Sequence, residues 1–450
     1  MGSPYGSGPY GSGPYGSGGA GGGGGVGGVH ARYRVLIGWA GRNAGVFRIG
    51  SKVAPNDPGS WEGYDRIGYA FTPRFDGPLD NVTADTHAAT ITRGREQAAG
   101  PMRKGQLDLE MLDRDGYFNP NNPSSPLAGQ LRPGRPVLVE ATMDDGATWY
   151  PRFYGWIERI SSRPRAYRTD IVATDFFGWL AKSRPVIAAT GPITRGDAIL
   201  LVLGYIGWAN PELLDIDPGD WLPDFSADGS ADALSIISAL LETDPGGGFW
   251  HKASGVIGYR QRHNLFDSPV AFDLSGEVWA ISPGVDEERI VNVQTVARAS
   301  RGGGDEPVAQ TATNGASKGE FGEHAGSQIT SPYLWTDDGA LRLAREIVRQ
   351  GGEPKGLIWS IDLANANTTI LDALIRSEVL DRVAVSEAAF GTEGEYIVQG
   401  FREEITDGGF LHRAAWAAVE AHTGDGPFRI GSLIAPNDPA QWAGYDRIFH

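Results

Sequence analysis

The 450-residue sequence contains no cysteine. That absence removes disulfides, thiolate nucleophiles, iron–sulfur ligation and Cys-rich zinc sites together, so the fold rests on packing alone. Positive charge is scarce: 39 Lys and Arg stand against 55 Asp and Glu, a net charge of −16. A stable nucleic-acid binder, which needs a basic face to neutralise phosphates, is therefore not expected. Long hydrophobic runs are missing too. The longest, AILLVLGYIGWA from Ala198 to Ala209, is too short to span a bilayer. No basic segment followed by an apolar one opens the chain, so the expectation is a soluble protein made in a cytoplasm, with no membrane span.

What is abundant is glycine, and part of it is local. Residues 1–29 repeat Pro-Tyr-Gly-Ser-Gly and then run into a nearly pure glycine tract, too poor in apolar groups to offset its ordering entropy. This segment reads as a flexible arm. The chain also repeats one sentence near both ends: Phe47 to Ile67 reads FRIGSKVAPNDPGSWEGYDRI, and Phe428 to Ile448 reads FRIGSLIAPNDPAQWAGYDRI. Sixteen of the 21 positions agree, which argues for one physical job done twice. Each copy reads as a short strand (Phe47 and Ile49; Phe428 and Ile430), a Pro-Asn-Asp-Pro turn, then an aromatic anchor (Trp61 and Tyr64; Trp442 and Tyr445). These eight residues are the candidate interaction residues. The copies are either β-arms packed on their own domains or arms that dock into equivalent grooves on a partner or a second subunit.

Between the arms the chain is β-rich. Tyr33–Ile37, Gln106–Met111, Val137–Ala141, Phe153–Ile157 and Thr169–Ala173 read as strands separated by Gly, Pro, Asn and Asp clusters. Leu357–Leu363, Arg382–Val385, Glu395–Ile405 and Leu411–Val419 read likewise. Thr174–Ala181 suits a short helix. Helical spacing covers Thr194–Leu203 and Ala231–Thr243, the latter with Asp232, Leu234, Ile237, Leu240 and Leu241 on one stripe behind a Ser230 or Asp228 cap, followed by a hairpin through Gly246–Trp250 and Val256–Tyr259. One further helix, Asp337–Gln350, is capped by Asp337, buries Leu341, Ala344, Ile347 and Val348, and stops at Gly351-Gly352. The fold class is mainly β with an α+β insert, as antiparallel barrel or sandwich domains. Residues 30–190 form the first β-barrel domain, including the 47–67 repeat. Residues 191–275 form the small α/β insert, 276–422 a second β-rich domain with one helix, and 423–450 a C-terminal arm carrying the 428–448 repeat.

No catalytic constellation assembles. The eight histidines show no zinc-helix spacing, and the glycine clusters at 246–248 and 302–304 lack the context of a phosphate cradle. Acidic pairs such as Glu403-Glu404 carry no weight among 55 acids. Asp113-Arg114-Asp115-Gly116 lacks the later ligands of a calcium loop and reads as a turn held by Asx hydrogen bonds. No catalytic, cofactor or metal site is expected.

The most distinctive internal stretch runs from Leu112 to Leu127, LDRDGYFNPNNPSSPL, followed by Leu131-Arg132-Pro133-Gly134-Arg135-Pro136-Val137. It resembles the minor tail proteins, or baseplate hub proteins, of long-tailed phages infecting actinobacteria. Asp80-Asn81-Val82-Thr83 ahead of Arg93-Gly94-Arg95, the run Phe153-Tyr154-Gly155-Trp156-Ile157-Glu158, and Glu288-Arg289-Ile290-Val291-Asn292 extend the resemblance over most of residues 33–420. Leu112-Asp113 departs from the Asp-Asn usual there. The resemblance implies a structural, non-enzymatic protein of the virion tail tip, assembled as a ring, often a trimer. Its implied partners are the distal tail ring, the tape measure and receptor-binding proteins, so that it links the tail tube to host-contacting parts. Alternatives are a receptor- or carbohydrate-binding tail protein, in keeping with 13 tryptophans, or a distal-tail adaptor ring.

Overall fold

A computed structural model describes residues 30–39, 79–95, 103–208, 210–276, 280–284, 290–300, 306–334, 336–352, 357–387, 392–406 and 411–421. Its first block supplies β1 (Arg32–Ile37), β2 (Asp80–Asn81), β3 (Thr86–Gly94), β4 (Gln106–Leu112), β5 (Pro136–Thr142), β6 (Tyr150–Arg163) and β7 (Arg168–Thr174). The insert holds α1 (Phe177–Leu180), β8 (Val186–Ile187), β9 (Ile193–Thr194), α2 (Arg195–Tyr205), β10 (Leu214–Ile216), β11 (Trp221–Leu222) and β12 (Ala227–Asp228). It continues with α3 (Ala233–Glu242), β13 (Gly248–His251), β14 (Ile257–Arg260) and α4 (Arg262–Phe266). The last block runs β15 (Val270–Asp273), β16 (Ala280–Gly284), β17 (Val293–Arg298), β18 (Gln310–Thr313), α5 (Gly315–Phe321), β19 (Ile329–Ser331) and α6 (Asp337–Gly351). It ends with β20 (Leu357–Ala364), α7 (Thr368–Arg376), β21 (Arg382–Glu387), β22 (Thr392–Thr406) and β23 (Leu411–Glu420).

The strands follow from period-two patterning. In β4, Leu107, Leu109 and Met111 are buried while Gln106, Asp108 and Glu110 are not, as a strand with one core face requires. Thirteen strands join in one sheet of order β16-β20-β23-β22-β3-β4-β7-β6-β5-β1-β2, with β21 pairing β22 and, in parallel, β15. The fold is thus mainly β with an α+β insert. The pairing path does not close on itself, so the sheet is open rather than a closed barrel. It is also shared by both β-rich blocks, through seven Cα partners between β3 and β22 from Gly400↔Gly94 to Thr406↔Ala88. That first pair must be glycine: Gly94 has φ +76°, and a Cβ there would lie 2.3 Å from the Gln399 carbonyl oxygen, closer than any side chain can sit.

One apolar core spans the two blocks, with Ile37, Ile91 and Phe153 from the first and Ile361, Val383 and Trp416 from the last. Helix α7 packs Ile370, Leu371, Leu374 and Ile375 into it. The insert has its own core of α2, α3 and the β13–β14 hairpin, and it seats on Tyr154 and Trp156 of β6, whose neighbours Phe153 and Ile157 face the main core. A third cluster joins α6 to β17 and β18.

Caps, buried faces and helix number differ locally from the sequence expectation. Asp232, rather than Ser230 or Asp228, caps α3, accepting from the Ser235 amide. Thr336, rather than Asp337, caps α6, its hydroxyl accepting from the Gly339 amide at 2.9 Å. Burial in α6 centres on Ala340, Leu343, Ala344 and Val348, with Leu341 and Ile347 only half-buried. The face is turned because Glu346 points inward to pair with Arg262. The last block holds α5 and α7 besides α6, where spacing singles out one helix. Both are short and owe their stability to packing rather than propensity.

Candidate functional site

All eight candidate interaction residues, Phe47, Ile49, Trp61, Tyr64, Phe428, Ile430, Trp442 and Tyr445, lie outside the described residues. The Asp113 motif lies within them, and it is architectural. Asp113 is buried; its Oδ1 accepts the Phe118 amide at 3.2 Å and its Oδ2 accepts the Thr169 hydroxyl at 2.7 Å. Successive turns follow, closed by the Asn122 side-chain amide donating to the Gly116 carbonyl and by Ser125 Oγ donating to the Tyr117 carbonyl. The loop thereby drives Phe118, Leu127 and Leu131 into the main core, with the Phe118 ring 6.1 Å from that of Trp39. Among the described residues no group of His, Asp and Glu is arranged to hold a metal.

Sequence reasoning missed a chain of buried polar groups that ties the two blocks together. The Tyr33 hydroxyl meets His412 Nδ1 at 2.5 Å, and His412 Nε2 meets Glu403 Oε2 at 3.2 Å. Glu403 pairs with Arg152 through one guanidinium edge, Nε donating to Oε2 and Nη2 to Oε1. Arg152 Nη1 in turn donates to the Ile375 and Ser377 carbonyls, at 2.6 and 2.9 Å, at the C-terminal end of α7. Burial alone would raise the Glu403 carboxyl, but the Arg152 charge and the His412 hydrogen bond outweigh it and hold it at about 2. Burial pushes the Tyr33 hydroxyl well above its ordinary value, so it stays neutral.

A second junction fastens the insert. Arg93, on the buried face of β3, donates to the His251 carbonyl and to Glu378 Oε2, both at 2.6 Å, while Glu378 Oε1 accepts the Ala253 amide at 3.1 Å. Burial raises Asp175 to about 6 against the Arg93 charge and three backbone amides; burial and Arg93 push His251 down to about 3. His251 Nε2 has no hydrogen-bond partner among the described residues. Arg93, Arg95, Asp175, His251 and Gln399 line a cavity of about 20 Å³. It has room for one water-sized group and is too small for a sugar or peptide.

These residues had a readable signal. Arg93 follows Ala89 and Ile91, Glu403 lies between Phe401 and Ile405, and His412 precedes Ala414 and Trp416, in each case at the apolar parity of a strand. A charge at such a position must find a buried partner.

No family model and no curated protein sequence matches the chain. Among solved structures, the tail protein from Neisseria meningitidis MC58 aligns with a TM-score of 0.54 at 10% identity, covering 86% of this chain and 96% of that one. The 43 kDa tail protein of prophage MuSo2 from Shewanella oneidensis aligns with a TM-score of 0.53 at 12% identity, covering 87% and 98%. The chain shares the fold of solved tail proteins. At these identities the likeness is one of fold.

Proposed function

We propose that the chain is a structural protein of a bacteriophage tail, a hub at the tail tip that assembles as a ring, in threes, and links the tail tube to the host-contacting parts. The observation that carries this reading is the tail-protein fold over 86–87% of the chain, joined to a minor-tail motif whose residues act as an architectural plug. The two buried polar junctions support a rigid body: the Arg152–Glu403 and Arg93–Glu378 charges hold segments together, which suits assembly. Among the tryptophans whose side chains are described none is exposed, which favours a hub over a sugar-binding surface built on stacked rings. The Phe47–Ile67 and Phe428–Ile448 repeats serve as attachment arms. They dock on neighbouring copies or on the tail proteins flanking the ring, where high effective concentration strengthens a short arm.

Electron cryomicroscopy of the purified particle tests this directly, with density for the chain expected in a ring at the distal end of the tail. Density confined to the capsid, or a particle lacking the chain, overturns it. The arm assignment has its own test, truncation after Thr423: the fold should persist while assembly weakens, and unchanged assembly removes the C-terminal arm from the account.

A further inference from the structure

The outer end of the β6–β7 hairpin is built against the charge balance of the rest of the chain. From Glu158 to Arg163, β6 alternates half-buried and exposed residues with none buried, so this end forms a rim of about 20 Å. Across its last rung Arg163 faces Arg168, and like charges directly opposite are destabilising. Each borrows a carboxylate, Asp170 and Glu110 respectively. Arg114, Arg159 and Arg165 are all exposed and have no ionic partner among the described residues. The one exposed acid in the loop beside them is Asp115.

Apolar surface accompanies the charge. Tyr167 is 60% exposed and sits at φ +55° and ψ +38° at the hairpin turn, a left-handed conformation that a bulky side chain rarely adopts. Its carbonyl accepts the Asp113 amide at 2.7 Å, which brings Leu112 alongside; Tyr117 is exposed in the loop that Asp113 anchors. Strained backbone and opposed arginines cost stability, and they persist where another demand fixes them. Arginine and tyrosine are also the side chains most enriched at the centres of protein interfaces.

The complementary surface is in the same chain. Residues 211–232 carry seven carboxylates and no Lys or Arg. Arg260 takes up Asp215 and Asp217, and Arg195 approaches Asp220 at 3.5 Å, which leaves Glu212, Asp224 and Asp228 exposed. Within one copy no ion pair joins the hairpin arginines to this segment among the described residues.

We propose that the arginine and tyrosine tip of one copy docks on the acidic 211–232 segment of the insert of a neighbouring copy. The two patches differ, so the contact is heterologous, and repeated head to tail with a rotation that closes it makes a ring. Guanidinium groups suit it because they grip carboxylates through two parallel hydrogen bonds. The inference rests on the ring reading above and gives that ring its subunit contact.

The test is the mass of the full-length chain by light scattering. The unmodified chain should be an oligomer that dissociates at high salt, because the Debye length falls to about 3 Å at 1 M. Arg159→Glu with Arg165→Glu should weaken association at least tenfold, as should Glu212→Lys with Asp224→Lys. All four changes in one chain should restore it. Tyr167→Gly relieves the left-handed strain, so it should leave the melting temperature unchanged or raised while weakening association, which separates docking from folding. An oligomer indifferent to the arginine reversal overturns this contact and leaves the ring reading standing. So does failure of the fourfold variant to reassociate. An unmodified chain that stays monomeric at its highest soluble concentration overturns both. Binding of a single-stranded oligonucleotide that the arginine reversal abolishes, with assembly intact, assigns the tip to nucleic acid instead.

Discussion

Glu403 is wholly buried between Arg152 and His412, and its charge survives there because both neighbours favour the ionised form. Removing one partner of such a pair leaves the other charge uncompensated in a low-dielectric interior, typically at a cost of about 3–5 kcal/mol. Glu403→Gln should therefore lower the unfolding free energy in guanidinium by about that amount, and a loss under ~1 kcal/mol would show that Arg152 finds its compensation elsewhere. The sign of the pH dependence follows from the depressed carboxyl. Its contribution is fully present above the ordinary 4.5 and is lost as pH falls through about 2, because the unfolded state takes up the proton first. The unmodified and Gln chains should thus converge in stability as pH drops from 5 toward 2; parallel curves would refute the pairing. The parity of Glu403 in its strand was legible in the sequence. Its partner Arg152 was not, because it lies 251 positions away, as Tyr33 lies 379 from His412, and no local pattern encodes such distances.

At the scale of the element, legibility tracked length and periodicity. Strands β4, β5 and β7 and helices α2, α3 and α6 each carry their own apolar spacing and differ from the expectation by a residue or two at their ends. Helix α7 does not. It has only nine residues and opens on Thr368-Thr369-Ile370, β-branched side chains that lose rotamer freedom in a helix. Tertiary contacts make it: Asn367 Oδ1 accepts the Ile370 amide at 2.9 Å, five apolar side chains enter the main core, and Arg152 satisfies the Ile375 carbonyl and that of Ser377 just beyond the helix. If the N-cap matters as this arrangement implies, Asn367→Ala should cost about 1 kcal/mol with the denaturant slope unchanged. A midpoint identical to that of the unmodified chain would mean that packing alone holds the helix.

At the scale of the whole molecule, the sequence reads as two β-rich blocks flanking an insert, whereas the blocks share one sheet and one core. The joint is the β3–β22 ladder, whose partners, such as Ile91 and Glu403, are 312 positions apart in sequence. Glycine at both Gly94 and Gly400 lets the two strands meet, but either residue read alone is only a turn former. Strand pairing of such long range closes late and folds slowly, yet once formed it joins the blocks in one ladder. Ile91, wholly buried in the shared core, offers the decisive substitution. Ile91→Ala opens a cavity costing about 2–5 kcal/mol. If the blocks unfold together, native-state hydrogen exchange should register that loss equally in the slowest amides of β5–β7 and of β20–β23. A loss confined to β5–β7 would mean that the C-terminal strands keep their structure when the N-terminal strands open, and that the shared sheet is two folding units in contact. Equal losses would mean that the insert stands on a single rigid platform, so that force applied at one end of the sheet reaches the other through the Glu403–Arg152 pair and the β3–β22 ladder together.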